Sequence, residues 1–388
     1  MNDPSAAPVP LSRAAHAAGM AAYQAAGVAI AAEIGNRGPI RFGPDGNLAA
    51  DIVDAYWRHG FYVFEDVIGS GEIEALRREA GEMLARAPVD RNAKVDAMGR
   101  PALGLDQKRP PFNFVAPLSD PVGGTSALGG RHPSKMAEPT PDADAPKDVV
   151  HQMRGMCMNM PSALRLYGHP KLLAIAEAIN GPDFTPFNDV IFVKQPGLGG
   201  SVAWHQDGTT HWDAEDWDEG AHGFNFMAQL YPSTPANCVW VLPGTHKQGK
   251  VDFVRLVADS GSDRIEGAVP LMCDAGDVIM TNRQLAHGSF ANTSADRRVT
   301  LNAGFFPRKR VLGVTTPKLN GAVETYTAER IHDRSRIVQL AIDARRQRFP
   351  DETPYRYQPF ADDRNPPRWS EAAREALLKN YNLHDIFI

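Results

Sequence analysis

The feature that most restricts the fold is a run of short apolar segments between Phe187 and Phe306. In order they read FNDVIFVKQ, FNFMAQLY, CVWVLP, GKVDFVRL, GAVPLMC, GDVIMTN and RVTLNAGFF. Glycine, proline, asparagine or aspartate separates them. Segments of that length, rich in Val, Ile and Phe and bounded by turn residues, predict β-strands. Many short strands at this spacing predict a barrel or jelly roll.

The flanking chain has a different character. Residues 48–87 move from a helical period in IVDAYWRHG to a short β run at Phe61–Phe64. A helix opened by Ser70 follows, with Ile73, Leu76, Ala80, Met83 and Leu84 on one face. Residues 88–148 are broken by RPALG, KRPPF, SDPVGG, GGRHP and EPTPDADAP, which predicts a long irregular insertion. Loops of that length commonly act as lids. Residues 162–180 are helical again, and the charged tail is helical outside a proline-rich stretch at 350–367. The division this implies is an Ala-rich helical extension at 1–47, a β domain at 48–313 carrying the insertion 88–148, and a C-terminal helical extension at 314–388.

Composition narrows the function classes. Hydrophobic residues at 43% and charged residues at 22% suit a soluble globular protein. A formal charge of −5 without a basic stripe argues against nucleic acid as a partner. Cys157, Cys238 and Cys273 lie far apart, which argues against a disulfide framework or zinc ribbon and for a reducing cytoplasm. Residues 14–32 carry no charged side chain and are long enough to span a membrane, but they are mostly alanine. We read them as a surface helix suited to a subunit contact, as in a homodimer, and expect no membrane association. The preceding MNDPSAAPVPLSR starts acidic and proline-rich, unlike a signal peptide.

The chemistry lies in AWHQDGTTHWD, which holds His-x-Asp twice, as His205 and Asp207 and as His211 and Asp213. Residues two apart on an extended strand face the same side and can share a metal. The first pair follows an apolar approach, SVAW, and has a rigid support; the second opens an acidic loop. For a third ligand the candidates are His246 in PGTHKQG and His287 in QLAHGSF, the latter ending a run that continues GDVIMTN as a strand. Arg298 stands on a polar strand face with Thr300, Asn302 and Gly304, while Val299, Leu301, Ala303 and Phe305 form the opposite face. Its planar guanidinium suits a carboxylate. Two histidines, one carboxylate and an inward arginine match the facial triad that holds Fe(II) and leaves positions open.

With WHQDGTTHW, LPGTHKQGKV, GDVIMTNRQLAHGSFANTSADRR and, more loosely, GFYVFEDVIGSGEIEALRRE, the sequence resembles the phytanoyl-CoA dioxygenase family of Fe(II)/2-oxoglutarate-dependent oxygenases over roughly residues 50–310. The resemblance implies a mainly β fold with flanking helices and a double-stranded β-helix (jelly-roll, cupin-like) core. It makes His205, Asp207 and His287 the catalytic metal ligands. Arg298 would hold the distal carboxylate of 2-oxoglutarate, with Ser289 nearby and Gln206 assisting. His211 and Trp212 would fall in or beside the substrate pocket. The implied cofactors are Fe(II), 2-oxoglutarate and O2. The implied reaction is hydroxylation of an unactivated C–H of a small molecule or natural-product intermediate, with release of succinate and CO2. Desaturation and cyclisation share that chemistry. Related halogenases carry a small residue in place of the carboxylate, so Asp207 points away from halogenation.

Plainer roles stand beside these. Lys194, Gln195, Asn188 and Gln229 either line the barrel or end strands in solvent, and Trp204, Trp212, Trp217 and Trp240 form either a pocket wall or core. Arg297 is the alternative to Arg298, but its face is apolar. The acidic loop 213–219 reads as a solvated face. Residues 88–148 and 209–222 are the lid candidates. The rival functions are a His2Asp zinc hydrolase and a non-catalytic jelly-roll binding protein; in the first, Arg298 has no task.

Overall fold

The computed structural model describes residues 11–208, 210–317 and 323–386; most of the N-terminal stretch compared above with a signal peptide lies outside them. Eight strands make the core: β1 (Phe184–Lys194), β2 (Val202–His205), β3 (Phe224–Gln229), β4 (Trp240–Val241), β5 (Val269–Pro270), β6 (Val278–Asn282), β7 (His287–Ser289) and β8 (Arg298–Pro307). They pair first with last, all antiparallel: β1 with β8, β2 with β7, β3 with β6, β4 with β5. One sheet carries β6-β3-β8-β1 and the other β2-β7-β4-β5. This nested pairing is a double-stranded β-helix. Phe61, Val63, Met227 and Ile279 from the larger sheet pack with Val241, Val269 and Leu271 from the smaller, closing one end of the barrel with apolar side chains.

Four short strands widen the larger sheet. Arg37–Gly38 and Phe61–Phe64 add beyond β6, and Val149–Arg154 and Phe112–Val115 add beyond β1. Helices α1 (Arg13–Ile34), α2 (Ala50–His59), α3 (Ser70–Ala85), α4 (Pro161–Tyr167), α5 (Pro170–Asn180) and α6 (Ala328–Arg348) lie outside. Alternation along β8 explains why: Val299, Leu301 and Phe305 join Leu164, Leu172, Leu173 and Leu340 in one buried cluster. The opposite face of β8 is therefore left to line the barrel. Gly304 sits on that face because a Cβ there would stand 1.7 Å from the Phe187 ring.

Two sequence expectations are corrected. GKVDFVRL forms a helix, Phe253–Asp259, rather than a strand, because Asp252 caps it by accepting from the Arg255 N–H at 3.0 Å. GDVIMTNRQLAH is not one strand: β6 stops at Asn282, and His287 opens β7 in the other sheet. Ser70 is the first helical residue of α3, whose cap position is Gly69. The insertion 88–148 is largely irregular but contributes Phe112–Val115 to the larger sheet.

Helix α1 has the length and apolarity of a membrane span, yet it rests on the smaller sheet. Tyr23 stacks on Trp240 with ring centroids 4.6 Å apart. Gly27 permits the approach, since a Cβ there would come within 2.5 Å of the indole. The tail is tied to β1 through fully buried Arg334, which pairs with Asp189 at 3.1 Å and with Asp385 at 2.9 Å.

Candidate metal centre and co-substrate pocket

β2 and β7 lie side by side with His205 opposite His287 in register. Asp207 follows β2 by two residues, and its backbone N–H donates to the Arg283 carbonyl at 2.9 Å. Ligand atoms of His205, Asp207 and His287 come within 4.8 Å of one another. Three such donors converging from one side fit the facial arrangement of a 2-His-1-carboxylate site.

The neighbours fix each ligand. The Nδ1 atoms of His205 and His287 lie 2.8 and 2.9 Å from the carbonyls of Ala203 and Leu285. Those bonds require a proton on Nδ1, which leaves each Nε2 as an unprotonated ligand atom. Asn225 Nδ2 donates to Asp207 Oδ2 at 3.0 Å and leaves Oδ1, 3.5 Å from His205 Nε2, toward the centre. Burial pushes His287 down to about 4, so its ring is neutral at pH 7. Burial by itself would raise Asp207, but the adjacent His205 and His287 imidazoles and the Arg283 charge hold it below the usual carboxylate range. Gly208 makes room behind the pair, since a Cβ there would lie 2.2 Å from the Trp217 indole.

A second group of side chains forms an anion site. Lys194 and Arg298 are cross-strand partners on β1 and β8, and they are 1% and 3% exposed. Lys194 Nζ donates to the Phe290 carbonyl, and Arg298 Nη1 donates to the Asn237 carbonyl at 2.7 Å. Among the described residues Arg298 Nε and Asn237 Nδ2 have no partner and neither cation has a carboxylate ion pair. Burial, followed by the charge of Arg298, holds Lys194 well below its ordinary value. Burial pushes Arg298 down to about 10. Burial also pushes nearby His151 down to about 3, with both cations adding to the effect. Two buried cations with spare donors and no counter-ion suit a carboxylate supplied from outside.

The other predicted residues divide. Ser289 is buried two positions after His287 on β7. Gln206 is fully buried but committed to backbone: its Nε2 donates to Gly249 and Gln284 carbonyls at 3.0 and 2.7 Å, and its Oε1 accepts from Val251 at 2.9 Å. It braces the ligand loop and has no donor left for a co-substrate. His246 faces the Trp57 carbonyl at 3.2 Å and stands outside the triad. Arg297 lies over the Tyr231 ring. His211 and Trp212 line a 450 Å³ cavity with Thr210, His222 and Arg310. Trp204 and Trp240 are core. Gln229 accepts from Thr300 at 2.9 Å inside the barrel.

The insertion closes the metal centre. His132 stacks on His205 with centroids 4.1 Å apart, and Arg131 Nη1 donates to the Gln206 carbonyl at 2.7 Å. Sequence reasoning missed both residues, as it missed His151, Asn225, Asn237 and Arg283. GGRHP gave a lone histidine in an irregular loop, which has no spacing to read. Asn225 sits in a strand whose apolar neighbours identify only the strand.

A model of the phytanoyl-CoA dioxygenase family matches residues 56–300. The chain belongs to this family. Phytanoyl-CoA dioxygenase of Arabidopsis thaliana is 24% identical over 268 residues, which cover 66% of this chain and 88% of that protein. Phytanoyl-CoA dioxygenase 1 of Oryza sativa subsp. japonica is 33% identical over 117 residues, 28% of this chain and 40% of the rice protein. Among solved structures, EctD from S. alaskensis with 2-oxoglutarate and 5-hydroxyectoine is 18% identical, with a TM-score of 0.49 over 73% of this chain and 83% of that one. Membership and the His-Asp-His triad together make the chain a dioxygenase dependent on Fe(II), 2-oxoglutarate and O2. The residues present fit that set: three ligands face one point, and a buried cation pair awaits a carboxylate.

Proposed function

We propose that this oxygenase hydroxylates an unactivated C–H bond of a small molecule or natural-product intermediate, with release of succinate and CO2. The supporting observation is the complete ligand set. Asp207 occupies the third position, buried and oriented by Asn225, so a carboxylate fills the place where a halide would otherwise have room. When bound, iron supplies the power to activate O2 and oxidise the C–H bond.

The protein's share is position and dryness. His205, Asp207 and His287 hold the metal on one side. Arg298 and Lys194 take the distal carboxylate of 2-oxoglutarate, the guanidinium through Nε and the ammonium as a point charge. His132 and Arg131 cover the centre and exclude water, which strengthens the electrostatic contacts within it. The unpaired, buried thiols of Cys157, Cys238 and Cys273 suit the reducing cytoplasm we assign.

The test is an anaerobic titration followed by turnover. Fe(II) with 2-oxoglutarate should give a visible absorbance band, and a substrate panel should release succinate and a hydroxylated product. Zinc-supported hydrolysis without consumption of 2-oxoglutarate would overturn the reading, and a desaturated or cyclised product would overturn the hydroxylase part of it.

A further inference from the structure

Arg283 lies in the turn between β6 and β7, and it is fully buried. Its guanidinium sits 4.2 Å from the centre of the Phe306 ring and 4.9 Å from that of Phe187. One nitrogen, Nη1, reaches the His222 carbonyl at 3.4 Å, while Nε and Nη2 have no partner among the described residues. Arg334, equally buried, shows how this fold treats a structural arginine: it pairs with Asp189 and Asp385. Among the described residues no carboxylate pairs with Arg283. Asp207 is the acidic group close enough to influence it, and that charge belongs to the metal.

The surroundings of Arg283 point to a ligand. Asn225 Oδ1, Asn302 Oδ1 and Thr281 Oγ1, on adjacent strands of the same barrel, are buried without partners among the described residues, as are Nδ1 of His211 and of His222. His211 and His222 stack with centroids 4.3 Å apart and line the 450 Å³ cavity. Phe306 meets His211 edge-on at 5.4 Å. Arg283 therefore stands one layer behind the cavity wall, between it and the metal ligand Asp207. It lies in a different part of the barrel from Lys194 and Arg298.

We propose that Arg283 anchors the primary substrate, and that this substrate carries a carboxylate seated on Nε and Nη2 of Arg283 between the Phe187 and Phe306 rings. The His211–His222 pair separates this seat from the outer cavity and moves aside on entry. This proposal rests on the oxygenase reading of the centre, and it adds the substrate's chemical class. A neutral substrate of the same shape would leave a buried cation uncompensated, which is the strongest kind of discrimination a polar site offers.

The experiment uses the full chain loaded with Mn(II) and 2-oxoglutarate, with acetate as probe and acetamide as its neutral isostere. Paramagnetic relaxation of the probe's methyl protons reports binding near the metal. Wild type should relax acetate saturably and acetamide weakly. Arg283→Gln should weaken acetate binding about tenfold or more, the cost of a lost charge-assisted contact, with wild type and variant each read at saturating Mn(II) and 2-oxoglutarate. Arg283→Met, which keeps the side chain's reach between the rings, replaces the Gln variant if that one does not fold. Equal relaxation by acetate in wild type and variant, equal relaxation by acetamide and acetate, or no acetate effect in wild type overturns the proposal. Failure of wild type to bind 2-oxoglutarate would instead overturn the oxygenase reading, so the two failures are distinguishable.

Discussion

Replacing Arg298 by Met removes the guanidinium and keeps much of its volume. In the ligand-free protein this change deletes one of two neighbouring buried cations, and nothing acidic loses a partner. Folding stability should change little, because the repulsion with Lys194 disappears while the buried Asn237 carbonyl loses its donor. Co-substrate affinity should fall. A hydrogen bond to a charged group contributes ~1.5–3 kcal/mol, and a ~50-fold rise in the Kd for 2-oxoglutarate corresponds to about 2.3 kcal/mol within that range. Lys194 keeps part of the attraction, which is why a larger loss is not expected. The assay is urea unfolding with and without 2-oxoglutarate, metal held constant. At about 100 times the wild-type Kd the ligand stabilises wild type by ~2.7 kcal/mol; after a 50-fold loss the same concentration gives roughly 0.6 kcal/mol. Equal stabilisation of both proteins would refute the assignment of Arg298.

Asn225→Ala should lower metal affinity ~10–100-fold by releasing Asp207 Oδ2, as measured by metal titration, and should leave 2-oxoglutarate recognition by Arg298 in place. Gly304→Ala should cost on the order of 1–3 kcal/mol in urea unfolding, because the added Cβ overlaps the Phe187 ring. Burial pushes His211 down to about 3, so its unfolded form takes up a proton near pH 6.5 and its folded form does not. Its contribution to stability is present above pH 6.5 and is lost as pH falls toward 3. His211→Phe should flatten that slope by up to ~1.4 kcal/mol per pH unit, seen by unfolding at a series of pH values.

What the sequence made legible follows from locality. His205 and Asp207 are two apart with a strand behind them, and Arg298 follows His287 at a fixed offset along a strand whose alternation is plain. β8 shows its two faces in its own residues, and its apolar face is buried as the pattern requires. The parts that escaped are those with no local period. His132 reaches His205 from the insertion, 73 positions earlier in the chain. Asn237 meets Arg298 from a turn before β4. GKVDFVRL misled because its apolar content suits either element, and one aspartate at the cap position decided for the helix. Gln206 misled in the other direction. Its place inside the motif suggested ligand contact, but burial spends all of its amide on backbone.

The charges of the interior explain why the site is built this way. Among the described residues Lys194, Arg298 and Arg283 are buried cations without ion-pair partners, and Asp207 is the carboxylate that acts on Arg283. Such groups oppose folding of the empty protein, since burial in a poorly polarisable interior costs several kcal/mol per ion after relaxation. Fe(II) takes the charge of Asp207. The two carboxylates of 2-oxoglutarate would offset Lys194 and Arg298, while the charge of the metal exceeds that of Asp207. Arg283 adds to that positive excess, and it stands on the cavity side of the centre. Fe(II) and 2-oxoglutarate carry equal and opposite charge, so their arrival leaves the excess in place, and it favours entry of an anionic substrate. Higher ionic strength should weaken capture of that substrate far more than it weakens the seated co-substrate, because entry is exposed to solvent and the seated pair is not.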